Sequence, residues 1–185
     1  MMTKPLHKFT DIHDTPHVYQ DTYERSTTTG PDRLVIAPAS NHVELLCLLL
    51  GPMPGPFRFL YILVVSRTLT PEGRYELDQD LSREEMTTLL MEHREFFEAD
   101  GRHTLFIGSQ ADNAMLVYDR HNVIYAYGDL DKYSQLLVQS GFRSEDVRFP
   151  VPHAHHYHDE MDDEETRLLR GRSWIQYPLK ESDRE

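Results

Sequence analysis

The chain has one cysteine, Cys47, so it cannot form an internal disulfide. No apolar stretch follows Met1-Met2-Thr3-Lys4-Pro5, so the start does not read as a secretory signal, and the cytoplasm is the expected location. Long hydrophobic runs are missing too. The longest, Phe57 to Val65, is interrupted by Arg58 and is far shorter than the roughly 20 residues a bilayer requires, so no membrane span is expected. Basic charge is scarce: 19 Lys and Arg face 31 Asp and Glu, for a formal charge of -12. That balance repels phosphate backbones and argues against nucleic acid as a direct partner.

Catalytic signatures are equally sparse. There is no phosphate-binding loop, no dinucleotide-binding glycine pattern, no His-Glu-x-x-His and no paired Cys-x-x-Cys. Gly108-Ser109-Gln110 lacks the second glycine of a nucleophile elbow. Cys47 sits within Leu45-Leu46-Cys47-Leu48-Leu49, where no basic neighbour would stabilise a thiolate, and reads as a buried structural thiol. No organic cofactor is expected, no catalytic residue can be named, and a non-enzyme is the favoured reading.

What is present is an ordinary globular composition: 39% of the 185 residues are hydrophobic and 27% charged, enough apolar surface for one core. Residues 1–32 are polar and without sustained period, which predicts an extended or partly mobile arm. Residues 33–158 form the expected core domain, and residues 159–185 an acidic helix and tail packed on it.

Within the core domain, Leu34-Val35-Ile36 reads as a strand, and Asn41 with Glu44 suggests a capping box opening an apolar helix over His42 to Leu50. Phe57 to Ser66 carries apolar residues at both parities, the mark of a central strand. Arg74 to Asp78 alternates as its hairpin partner. Ser82 and Glu85 form the clearest capping box and open one helix to Ala99, with Met86, Leu89, Leu90, His93, Phe96 and Phe97 at three- and four-residue intervals. On that stripe His93 reads as a boundary histidine with a hydrogen-bond partner.

Strands follow at His103 to Ile107, Ala114 to Tyr118 and Val123 to Tyr127. Asp129 then caps a helix that ends at Gly141 with Phe142 beyond it. Val147, Phe149 and Val151 alternate as an edge strand, since Pro150 and Pro152 cannot donate to a ladder. Glu160 to Arg170 is a last helix, and Trp174, Ile175 and Tyr177 dock the tail. The class this order predicts is α+β: one domain with a mainly antiparallel sheet packed against three to four helices.

Two stretches could carry function. In Pro152-His153-Ala154-His155-His156-Tyr157-His158-Asp159, an extended backbone would put His153 and His155 on one face and His156 and His158 on the other. Either pair could chelate a divalent transition metal such as zinc, with Asp159, His121 or Asp119 supplying a third ligand. The plainer reading is a proline-bounded connector with hydrated histidines.

The second stretch is the acidic run Asp162, Asp163, Glu164 and Glu165, flanked by Tyr157 and Trp174 as aromatic anchors. It suits electrostatic steering toward a basic protein. The function expected first is therefore a non-enzymatic acidic binding module, such as an immunity or inhibitor protein for a basic toxin or enzyme. The alternative is a metal-binding protein or metal-dependent hydrolase. Protonating all eleven histidines would carry the charge from -12 to -1, so solubility is expected to fall as pH drops toward 5.5.

Overall fold

The computed structural model describes residues 6–184; Met1 to Pro5 and Glu185 lie outside the described residues. In chain order the elements are β1 (Phe9–Asp11), β2 (Thr22–Ser26), β3 (Arg33–Ala37), α1 (His42–Leu49), β4 (Phe57–Leu63), β5 (Gly73–Leu77), α2 (Arg83–Glu92), α3 (Arg94–Ala99), β6 (His103–Ser109), β7 (Met115–Tyr118), β8 (Ile124–Tyr127), α4 (Leu130–Gln139), β9 (Arg143–Ser144), β10 (His153–His155), α5 (Asp162–Arg170) and β11 (Trp174–Tyr177).

Nine strands form one sheet in the order β11-β5-β4-β6-β7-β8-β3-β2-β9, while β1 and β10 make a separate pair. Every pairing is antiparallel except β2 with β9. The short loops of β4–β5 and β6–β7–β8 enforce this, because a parallel neighbour needs a long crossover. β4 is central, paired with β5 on one side and with β6 from Phe57 opposite Ser109 to Leu63 opposite His103 on the other. The class is α+β, with helices and sheet sharing one core.

Alternation decides what each sheet face does. Phe57, Phe59, Tyr61 and Leu63 of β4, with Leu105 and Ile107 of β6, are buried in the main core together with apolar residues of α1, α2 and α3. At the β3–β8 end the opposite face carries a smaller core of Phe9, Tyr19, Val35, Ala37 and Val123, bordered by Tyr125 and Val147. The segment read as an N-terminal arm thus supplies two strands and buries Phe9, Tyr19 and Tyr23.

Three local expectations change. The helix over Ser82 to Ala99 breaks at His93, giving five α-helices among the described residues instead of three to four. The break is capped from α5: Arg167 Nη2 donates to the Glu92 carbonyl, and the His93 ring meets Glu164 Oε1 at 2.7 Å.

Asn41 makes no capping box. It lies at φ 56° in the left-handed region, its side chain accepts from Arg94 Nη2, and Glu98 Oε1 takes the Val43 N–H at 2.8 Å. A cap supplied from α3 replaces the local one.

The third change concerns Val147 to Val151, which forms no strand because Pro150 and Pro152 lack the N–H groups a ladder needs. The strand begins only at His153 and pairs with β1. The last helix is preceded by a 3-10 turn over Asp159–Met161.

Candidate metal centre

The β7–β8 hairpin turns on Asp119-Arg120-His121-Asn122. Asp119 Oδ1 accepts the backbone N–H groups of His121 and Val123, each at 2.9 Å, a local Asx bond that fixes the loop. Asn122 takes the left-handed conformation at φ 59°, and its Oδ1 accepts the Tyr118 hydroxyl at 2.6 Å. Tyr19 Oη donates to the His121 carbonyl at 3.0 Å, tying the loop to the smaller core. The second Asp119 oxygen, Oδ2, lies 3.0 Å from His121 Nδ1. Burial pushes the Asp119 carboxyl up, but the His121 side chain and the two N–H groups outweigh it and hold it below the usual carboxylate range.

β10 brings the other rings. Its pairing sets Phe9 opposite His155 and Asp11 opposite His153, and strand alternation leaves both histidines on one face. That face meets the hairpin loop. His121 Nε2 and His153 Nε2 stand 3.0 Å apart, and the His155 ring centroid lies 4.9 Å from that of His121 and 5.1 Å from that of His153. One nitrogen from each of the three lies within 4.8 Å of the others. The rings of Phe149 and Phe9 wall the group, with centroids 5.1 and 5.8 Å from that of His121.

Proton accounting makes the arrangement informative. His121 Nδ1 faces a carboxylate and His153 Nδ1 faces the Pro150 carbonyl at 3.2 Å; neither acceptor has a proton to give. With each Nδ1 turned to an acceptor, the two Nε2 atoms are left facing each other across 3.0 Å, where a shared proton or a metal ion joins them. Burial, then the positive charge of Arg120 and of the neighbouring rings, pushes His155 down to about 3, and burial lowers His153 as well. His155 Nδ1 is buried without a hydrogen-bond partner. The lowered values favour the neutral imidazole in His153 and His155, the form in which histidine ligates metals.

The other candidate ligands lie elsewhere. His156 Nε2 is 2.8 Å from Thr10 Oγ1, and His158 Nε2 is 3.0 Å from the His7 carbonyl. Asp159 pairs with Arg67.

The residues considered for partner binding are mostly committed inward. Glu165 is fully buried and accepts from Arg102 Nη1 at 2.8 Å and Thr68 Oγ1 at 2.6 Å. Asp162 bridges Arg102 and Arg67, and Glu164 binds His93 and Arg167. Asp163 is the exposed member of the run. Tyr157 Oη accepts from Arg120 Nη2 at 2.9 Å, and Trp174 packs edge-on against Tyr75.

Sequence reasoning missed two things. Phe149, whose alternation with Val147 and Val151 predicts a strand, packs instead against His121 and His153. A groove of about 1210 Å³ lies apart from the histidine cluster, with His42, His93, Glu95, His156, Glu160 and Asp163 among its lining residues. It draws on segments scattered from Leu6 to Arg167, so no contiguous motif announces it. No family model, no curated protein and no solved structure matches this chain.

Proposed function

We propose that this protein binds a transition metal, zinc in the first instance, through His121, His153 and His155, with Asp119 orienting His121 from behind. The observation that carries the reading is the convergence of three histidine nitrogens within 4.8 Å of one another, two of them Nε2 atoms 3.0 Å apart while both partner Nδ1 atoms face acceptors. Two imidazoles on one tetrahedral zinc, with bonds of roughly 2.0–2.1 Å, place their nitrogens about 3.3 Å apart. A small opening of the present contact therefore seats the ion. Three imidazoles suit zinc, copper or nickel and are poor ligands for calcium or magnesium, which take oxygen. Zinc has no geometric preference of its own to violate. The Asp119–His121 contact is the carboxylate–histidine pairing that fixes a ligating tautomer.

The test is metal content of untagged protein together with thermal melts in zinc. One equivalent of bound zinc is expected. At a free concentration 100 times Kd the stabilisation should be about 2.7 kcal/mol, a rise of roughly 5–10 °C in Tm for a chain of this size. Replacing His153 and His155 together should abolish it. Asp119→Asn should weaken binding about 10- to 100-fold. A chain that purifies without metal and melts identically in zinc, nickel and copper overturns the reading.

The groove favours a second reading, capture of a basic protein. Exposed Glu95, Glu160 and Asp163 line it, and the whole chain carries -12. Such carboxylates act mainly on association rate. Converting the three to amides should slow binding of an oligo-arginine probe and flatten its salt dependence; identical rates for both proteins count against it.

A further inference from the structure

We infer that the metal held by His121, His153 and His155 keeps one coordination position open, and that this position takes a small monodentate anion from solution. The inference rests on the metal reading above and extends it to the ligand. Its first support is donor count. Among the described residues the ligating group has three members, and structural zinc sites close with four.

Several neighbouring oxygens that might have completed the shell are held by other groups. Asp119 is bound to His121 Nδ1 and to two backbone N–H groups. Asp11, opposite His153 on β1, has its Oδ1 occupied by the N–H groups of His13 and Thr15 at 2.8 and 2.9 Å. Tyr19 Oη donates to the His121 carbonyl, and Tyr157 Oη lies on Arg120.

The second support is access. All three histidines are only partly buried, so the cluster lies near the surface. The third is charge. Three neutral imidazoles leave a divalent ion uncompensated, Asp119 offsets one unit from behind His121, and Arg120 in the same loop restores it. The guanidinium of Arg120 is fixed by the Gly101 carbonyl at 2.9 Å and by Tyr157 Oη, so it cannot swing away without breaking both bonds. The loaded site is therefore a cationic island on a chain of net charge -12, and an anion is the ligand that neutralises it. Size follows from the walls: Phe149 and Phe9 flank the rings, which favours a compact donor.

Cobalt(II) in place of zinc reports the shell directly, because its visible absorption follows coordination number and donor type. The full chain would be loaded with one equivalent of cobalt, binding confirmed by equilibrium dialysis, and then titrated separately with azide and with imidazole. Azide is expected to shift the visible band and to saturate at one per cobalt, at concentrations where neutral imidazole has little effect. A cobalt-bound protein whose spectrum ignores a large excess of azide has a closed shell, which overturns this inference and leaves the metal reading intact. Imidazole binding as well as azide overturns the anion preference. Failure to bind cobalt or zinc at all overturns both readings together.

Discussion

His42 and Lys8 show what burial does to single ionisable groups here. The His42 ring is 8% exposed and lies at 24° over Tyr118, with centroids 5.8 Å apart. Burial, then the charge of Lys8, pushes its pKa down to about 3. His103 is fully enclosed between Phe96, Phe97 and Tyr61, and burial drives it well below its ordinary value. Between the folded pKa and the unfolded value near 6.5 the unfolded chain binds the extra proton, so stability rises with pH across that interval. Their contribution is whole above about 6.5 and falls as the pH drops, for His42 down to about pH 3, at about 1.4 kcal/mol per pH unit for each fully shifted group. His42→Phe should therefore flatten the urea-unfolding free energy between pH 6.5 and 4.5 by close to one proton; an unchanged slope rejects the buried neutral ring.

Lys8 follows the same sign in a higher window. Its Nζ sits 3.6 Å from the Tyr118 ring centre and donates to the Asp119 carbonyl at 3.0 Å, and burial lowers it to about 7. Stability should climb from about pH 7 toward 10, and Lys8→Met should remove that climb. The boundary role of His93 was legible because it sits on a helical stripe. Lys8, inside a polar segment without period, was not.

Elements were legible where their signals are local. The Ser82–Glu85 capping box forms in full, and Gly141 closes α4 at φ 90° with Phe142 N–H on the Leu137 carbonyl and Gly141 N–H on that of Val138, the Schellman pattern. Both depend on residues a few positions apart. The break at His93, the Glu98 cap of α1 and the β1–β10 pair depend on partners far along the chain, which no window of sequence exposes. The acids of α5 belong to the same lesson: they look like dipole-stabilising residues, yet Glu165 and Asp100 enclose Arg102, and all three are fully buried.

The two kinds of element contact should differ in measured cost. Ser82→Ala removes one cap and should cost about 1 kcal/mol. Glu165→Ala leaves the Arg102 guanidinium short of a partner inside the fold and should cost about 3–5 kcal/mol. Urea denaturation of both variants checks the order, and a Glu165→Ala loss below that of Ser82→Ala would mean that water reaches Arg102.

At the scale of the whole molecule the hairpin neighbours of the sheet could be read from short loops, whereas β3 beside β8 and β11 beside β5 could not. Those placements bring the N-terminal segment, the hairpin loop and β10 together, so His121 joined the histidine pair through topology and not through spacing. No helix among the described residues is long and apolar enough to cross a membrane.

Burial also changes how net charge responds to acid. Counting all eleven histidines as free bases predicts a charge near -1 and aggregation by about pH 5.5. The fold instead holds His17, His42, His93, His103, His153 and His155 below their ordinary value, with burial as the first cause in each. Fewer protons bind while the chain stays folded, so it keeps more of its negative charge and its repulsion between molecules. Light scattering at low salt should stay flat from pH 7.5 to 5.5 and rise only at lower pH, with circular dichroism confirming a native chain at each point. Scattering that climbs between pH 6.5 and 6 on a still-folded protein would mean that these rings titrate as free imidazoles.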